Sequence, residues 1–296
     1  MSGDIAFRAK QLAARFVKPG VRLLDVARVI EEYIIEQGGY PAFPVNISIN
    51  SVAAHRTPLI DDEEVIPEDS LVKVDIGVHY EGFIADTAVT LVLSDKYEEL
   101  AEAVREALHK ALKIVKPGVR FSDVGRVIES LIRKRGFRVI KNLSGHSLDR
   151  YLIHAGEVIP NFKDPLSLGR FRAWRAYAIE PFGTNGRGYV VELRDRVQIY
   201  ALRRGRGAPL SGVEERILNH VKDRFRTLPF CERWLASVVR DKAALRSALN
   251  TLSSKGFLMR YPVLIEAGRG YVAQFEETVF ITNSGAIVTT NPELRP

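Results

Sequence analysis

The sequence predicts an α+β fold made of two related halves that meet at a cleft. Three observations point to it. The hexamer VKPGVR occurs at residues 17–22 and again at 115–120. Each copy is followed by an amphipathic helical stripe and then by strand-like sequence. Between the copies lies a hairpin, VKVDIGVHYEGFIADTAV, that carries two aspartates in an otherwise apolar setting.

The repeat extends beyond the hexamer. Residues 17–38 and 115–136 align without a gap, and 14 of the 22 positions are identical. Pro-Gly makes a turn in each copy. The stripes are Val26, Val29, Ile30, Tyr33 and Ile34, then Val124, Val127, Ile128, Leu131 and Ile132. Their i, i+3, i+4, i+7, i+8 spacing is one face of a helix. Gly38 and Gly136 stand where helix C-terminal glycines belong. Two copies are too few for a solenoid, which needs three or more. The repeat therefore reads as a duplicated half-domain around a pseudo-twofold axis, with a site in the cleft between the halves. PAFPVNISIN follows the first helix and FRVIKNLSG the second. Helices followed by antiparallel strands in each half give the α+β class.

In the hairpin, Val72, Val74, Ile76 and Val78 alternate along a strand and HYEG supplies a turn. A turn centred between Tyr80 and Glu81 places Asp75 opposite Asp86. Opposed residues have Cβ atoms about 5 Å apart, where like charges destabilise. Such a pair needs a cation or a shared proton. A bound metal is the stronger answer, because Asp is a poor strand former. Further candidate ligands are His146 in NLSGHSLDRYLIHAG, Glu180 in AYAIEPFG and Glu276 in YVAQFEETVFI. A glutamate inside an apolar β-rich run is rarely buried unpaired. Four carboxylates and an imidazole would suit two divalent cations about 3.5–4 Å apart. So oxygen-rich a set favours Mn, Fe or Co, with Zn possible.

Asp75, Asp86, His146, Glu180 and Glu276, in that order and spacing, resemble the dinuclear site of the pita-bread (creatinase/aminopeptidase) metallopeptidases. NLSGHSLDRYLIHAG, IEPFGTNGRG and YVAQFE are similar to signatures of methionine aminopeptidases of type II, in the archaeal form without an N-terminal extension. GHSLD stands where type I enzymes and prolidase-like relatives carry GHGIG. The resemblance implies a pita-bread fold and a cytoplasmic enzyme that removes the N-terminal methionine of nascent polypeptides with a small second residue. It implies Asp75, Asp86, His146, Glu180 and Glu276 as ligands, with Glu180 also shuttling the proton. It implies His55, in SVAAHRTP, beside the scissile peptide, and His154 against the substrate carbonyl or tetrahedral intermediate. Phe43, Ile153 and Tyr261 would line the methionine pocket. One departure concerns Glu277, where the family usually has His; one step along a strand, it should face away from the site. His79, His109 and His220 match no motif. Two other readings are a non-catalytic nucleic-acid- or ribosome-binding relative, which would have lost ligands, and an X-Pro dipeptidase, which usually carries an extra N-terminal domain.

Composition sets the remaining bounds. The chain has 296 residues and one cysteine, Cys231, so a disulfide framework is excluded and a reducing cytosol is expected. MSGDIAFRAKQLAARF holds no apolar core of signal-peptide length, and no apolar run reaches membrane-spanning length. The net charge is +7, but residues 203–260 hold 13 Lys/Arg against 5 Asp/Glu. Such a local field suits a polyanion or is simply a solvated basic face. SGVEERILNHVKDRF, FCERWLASVVRD and KAALRSALNTLSSKGF read as three short amphipathic helices, with strand resuming at Tyr261. Residues 206–260 are therefore expected to form a helical, winged-helix-like insertion into a catalytic domain of 1–205 and 261–296. That insertion would shape the cleft rim and could contact the ribosome; neither specific DNA nor membrane binding is expected, and the chain is expected to be a monomer. GTNGRG, residues 183–188, lacks the Gly-Lys-Ser/Thr ending of a phosphate loop and reads as a hairpin loop.

Overall fold

A computed structural model of the chain describes residues 1–203, 205, 209, 210 and 212–294. The first half runs α1 (Ser2–Phe16), α2 (Leu23–Glu36), β1 (Tyr40–Pro41), β2 (Asn46–Ile49), β3 (Val52–Ala54), β4 (Leu71–Tyr80) and β5 (Phe83–Val92). The second runs α3 (Glu98–Leu112), α4 (Phe121–Lys134), β6 (Arg138–Val139), β7 (Ser144–Leu148), β8 (Val158–Pro160), β9 (Ala176–Ile179), β10 (Phe182–Thr184) and β11 (Val190–Leu202). Then come α5 (Gly212–Arg224), β12 (Phe230–Cys231), α6 (Lys242–Ser254), β13 (Leu258–Glu266), β14 (Val272–Gln274), β15 (Glu277–Ile281) and β16 (Ala286–Val288).

The two hexamers make matching backbone bonds. Gly20 N–H donates to Ile66 O and Gly118 N–H to Phe171 O, both at 2.9 Å. Leu23 N–H donates to Glu64 O and Phe121 N–H to Gly169 O. A returning loop thus pins each hexamer at the start of its helix. Gly20 and Gly118 sit at φ 81° and 84°, a region glycine enters without a Cβ penalty. Helices α2 and α4 have 14 residues each, and both give way to a left-handed glycine, Gly38 or Gly136. α1 packs on β4 and β5, and α2 packs beside it on β1 and β2, in one core that includes Ala6, Ala9, Val26, Ile30, Val72 and Val74. α3 and α4 cover the second sheet through Val104, Val124, Ile128, Tyr177 and Val279. That sheet runs β16-β15-β9-β7-β8.

The β4–β5 hairpin corrects the expected register. Gly77 faces Asp86, and Asp75 faces Ala88. The turn centres on Glu81 and Gly82, at φ 50° and 88°, because a two-residue hairpin turn of this kind needs positive φ at both positions. Gly82 draws the turn one residue along. Register therefore slips by two, an even number, so both aspartates still project from the same face.

Residues 212–258 build a small core of their own around Ile217, Val221, Phe230, Leu235, Leu245, Leu249 and Leu252. Helices form at α5 and α6, but the expected middle helix does not. Phe230 and Cys231 instead pair with Ile199 and Tyr200 of β11, and a single 3-10 turn, Glu232–Leu235, follows. Tertiary demand overrides pattern here, since Arg233 and Trp234 both reach Glu31 of α2. Arg233 makes two bonds to its carboxylate, at 2.6 and 2.9 Å, and Trp234 Nε1–H donates to it at 2.9 Å. Strand β13 begins at Leu258, three residues before the expected Tyr261, because Leu202 offers it a partner. Of the basic stretch, Arg204 and Arg206 lie outside the described residues. Arg233, Lys242, Arg246 and Lys255 ion-pair with acids, and two of those acids, Glu31 and Asp61, belong to the first half.

The GTNGRG loop joins β10 to β11, which lie in different sheets, so it is a crossover turn and not the expected hairpin loop, and it does not point at a free anion site. The buried Glu266 carboxylate accepts the N–H groups of Arg187, Gly188, Gly268 and Gly270, so the glycine-rich turns close around a side chain of the same protein.

Candidate metal centre

Asp75 lies on β4 and Asp86 on β5. His146 lies on β7, Glu180 between β9 and β10, and Glu276 between β14 and β15. Pairing of the strands brings them together. His146 faces Ala178, and Glu180 and Glu276 each stand one residue beyond the Glu277–Ile179 pair. An isolated two-bond bridge, Ala88 with Glu276, joins the sheets of the two halves at this point. All five residues line one cavity of about 410 Å³, together with His55, His154, Phe43, Ile153 and Tyr261.

His146 Nε2 lies 3.5 Å from Glu180 Oε1 and 3.7 Å from Asp86 Oδ2. One ligand atom each of Asp86, His146 and Glu276 falls within 4.8 Å of the others. Asp75 Oδ1, Asp86 Oδ1 and Glu276 Oε1 are buried with no hydrogen-bond partner. Among the described residues, no Lys or Arg ion-pairs with these four carboxylates. Burial pushes the Asp75 carboxyl up to about 7, against the pull of the Gln274 amide. Asp86, Glu180 and Glu276 rise well above the carboxylate range, first by burial and then by mutual repulsion. Burial drives His146 down to about 3, with help from nearby His154. Buried carboxylates and a neutral imidazole with orphaned acceptor atoms are what a divalent cation would satisfy, so the residues present fit such an ion.

The rest of the wall is apolar and aromatic. Phe43, Ile153, Leu148 and Leu228 pack into one buried cluster. The Phe43 ring lies over Gly77, where any Cβ would come within 2.3 Å of it. His55 holds φ 62° and meets the Tyr261 ring edge-on at 5.4 Å. Its Nδ1 is 3.2 Å from Pro262 O. A carbonyl can only accept, so Nδ1 carries the hydrogen and Nε2 is left as an acceptor. Burial lowers His55 to about 4 and keeps it neutral. His154 is lowered by the same cause and lies 4.6 Å from the His146 ring.

Two polar residues here escaped the sequence reading. Asn46 faces Asp75 across the sheet, lines the cavity and leaves its buried Oδ1 unbonded. Gln274 is buried with its Nε2 left unbonded, near enough for the amide dipole to favour the charged forms of Asp75 and Glu180. The available signal was spacing: Gln274 sits two positions before Glu276 in YVAQFE. Glu277 does face away from the cavity, toward Lys10. His79 and His220 line a different cavity behind the Leu228–Pro229 wall.

A sequence model of Metallopeptidase family M24 matches residues 2–283. The chain belongs to this family. It is 45% identical over 291 residues to the methionine aminopeptidase of Pyrococcus abyssi, covering 98% of this chain and 97% of that one. Two solved structures share the fold over 98% of this chain. A thermophilic Arx1 superposes with a TM-score of 0.84 at 16% identity, over 89% of its own length. The methionine aminopeptidase of Thermotoga maritima does so with a TM-score of 0.71 at 24% identity, over 94% of its length. The duplicated α+β architecture is the pita-bread fold of M24 metallopeptidases. Among the described residues, no helix is long and apolar enough to cross a membrane.

Proposed function

We propose that this M24 metallopeptidase is a methionine aminopeptidase that removes the first residue of polypeptides whose second residue is small. The observation that carries the reading is the cluster of unpartnered buried carboxylates at the floor of an apolar cavity of about 410 Å³. Asp75, Asp86, His146, Glu180 and Glu276 would hold two divalent cations of the Mn, Fe, Co or Zn kind. Bound there, such ions supply a water that ionises near neutral pH and polarise the scissile carbonyl.

The chain's own groups do the rest. Glu180 takes the proton of the attacking water and hands it to the leaving amine. His154, neutral at working pH, donates to the developing oxyanion; removing one such donor costs about 3 kcal/mol in related chemistry. With Nδ1–H given to Pro262 O, His55 has an acceptor left and receives an N–H of the substrate, so the oxyanion falls to His154. Phe43, Ile153 and Tyr261 enclose an unbranched apolar side chain. A binding-only relative is disfavoured because all five ligand positions carry carboxylate or imidazole.

The same reading takes 206–260 as an insertion into a body of 1–205 and 261–296, and the molecule as a cytoplasmic monomer acting on nascent chains. Its basic residues would dock near ribosomal RNA. Cosedimentation with ribosomes lacking a salt-sensitive component would rule that contact out.

Asp86→Ala tests the site. Turnover of a Met-Gly-Met peptide with added Mn²⁺ should fall at least about 1,000-fold, since catalysis by residues acting as a unit collapses on losing one. Near-parental turnover, or a preference for Ala-Pro over Met-Ala-Ser peptides, would refute the assignment.

A further inference from the structure

Glu277 follows the candidate ligand Glu276 but looks into a buried polar network that the mechanism leaves unused. Lys10 reaches it from α1, whose buried residues are Gly3, Ile5, Ala6, Ala9 and Ala13. Lys10 Nζ lies 2.6 Å from Glu277 Oε1 and donates to Thr87 Oγ1 at 2.7 Å. Thr87 Oγ1 donates to the backbone carbonyl of Glu276 at 2.8 Å. Glu277 Oε2 accepts from Thr290 Oγ1 at 2.6 Å, and Thr290 Oγ1 accepts the N–H of Thr278 at 2.9 Å. Thr278 Oγ1 accepts Asp86 N–H and donates to Asp86 O, both at 2.8 Å. Asn291 Nδ2 adds a bond to Glu277 Oε1 at 3.1 Å. The Lys10 and Glu277 side chains are only 12% and 5% exposed.

On its cavity side the network ends on backbone atoms of Asp86 and Glu276. These residues come from different halves, and the sheets meet there through the isolated Ala88–Glu276 bridge. Threonine hydroxyls reinforce that bridge, Thr278 on Asp86, Thr87 on Glu276 and Thr90 on Gln274, but each of them belongs to one of the strands being joined. Lys10 adds a tie from a third element, bonded to side chains of both strands. Stability alone is a poor reason for such a pair, because a buried ion pair can often be exchanged for apolar residues at no loss. Ligand geometry is a better one, since outer partners of metal ligands commonly govern affinity.

We propose that Lys10 and Glu277 are positioning residues that fix Asp86 against Glu276 and so set the affinity of the site for divalent cations. This rests on the reading of Asp86 and Glu276 as ligands. The test is calorimetric titration of the metal-free full chain with Mn²⁺. Lys10→Met with Glu277→Gln removes both charges and strands neither. That double variant should remain folded and bind Mn²⁺ about 10- to 100-fold more weakly than the parent. Leu245→Ala, in the insertion core, should lower the unfolding midpoint and leave the affinity alone, which separates positioning from stability. A folded double variant whose Mn²⁺ affinity matches the parent's overturns the proposal. Should the double variant not fold, Thr87→Val cuts the same link to the Glu276 carbonyl; weaker binding supports the proposal and unchanged binding overturns it. A parent chain that takes up no Mn²⁺ would instead refute the ligand assignment beneath it.

Discussion

At the scale of single residues, burial decides the chemistry of the cavity. Asp75 titrates at about 7 because it is removed from water, and the unfolded chain would titrate it near 3.8. Below 3.8 both states hold the proton and nothing is lost. Between 3.8 and about 7 the unfolded chain has released a proton that folded Asp75 keeps, so stability falls as pH rises. Above that window the penalty is constant. Asp86, Glu180 and Glu276 are shifted in the same direction and add to it. A divalent cation must displace those protons. Mn²⁺ binding should therefore release protons below about pH 7 and weaken as pH falls. Calorimetry in buffers of different ionisation enthalpy reads this directly, and pH-independent affinity across that window would contradict it. The residue types of the cluster were visible in the chain, and so was their order. Their protonation was not, because it depends on how much water the folded walls exclude.

At the scale of elements, glycine explains both what was legible and what was missed. VKPGVR could be read as a helix entry because Gly20 and Gly118 must take positive φ whatever surrounds them. The β4–β5 register was read two residues out, because the turn was centred on Tyr80 and Glu81. The glycine at 82 fixes it on Glu81 and Gly82. The GTNGRG loop was legible as a turn, but its partner was not. Glu266 lies 78 positions from Gly188 and collects four N–H groups from two loops. Glu266→Gln turns an amide NH₂ toward those donors. It should destabilise the protein by about 2–4 kcal/mol, as expected when charge-assisted bonds are lost and donors are left buried. Urea unfolding reads this, and an unchanged midpoint would show that the loops hold without the clamp.

For the whole molecule, the unit built by residues 212–258 meets the first half at several points, Asp61 with Lys242 and Arg246 among them, and the most buried of these is the Glu31 carboxylate. Glu31 on α2 accepts two bonds from Arg233, one from Trp234 Nε1–H and one from the N–H of Val45. Val45 lies two residues past Phe43, so the joint also steadies the cavity wall. Glu31→Ala leaves the Arg233 charge buried without its partner, which costs about 3–5 kcal/mol. The unfolding midpoint should fall by roughly 5–8 °C for a chain of this size. A shift of a degree or two would mean that α5, α6 and β12 dock without it. The helix expected over FCERWLASVVRD fails for the same reason, since Arg233 and Trp234 are spent on a residue some 200 positions away.

Helices α1 and α3 came from the structure, but the sequence by itself determined the duplication, the two helices that follow the hexamers, their glycine ends, and the residue types that meet at the cleft. These follow from periodicity and backbone sterics, which act over a few residues and leave their mark in the local string. Only the tertiary structure decided which strand faces which, that Lys10 pairs with Glu277, and that Glu31 bonds to Arg233 and Trp234. It also decided that four carboxylates share one water-poor floor. Those outcomes depend on contacts between distant segments, and a buried charge finds its partner through packing of the whole chain rather than through its neighbours in sequence.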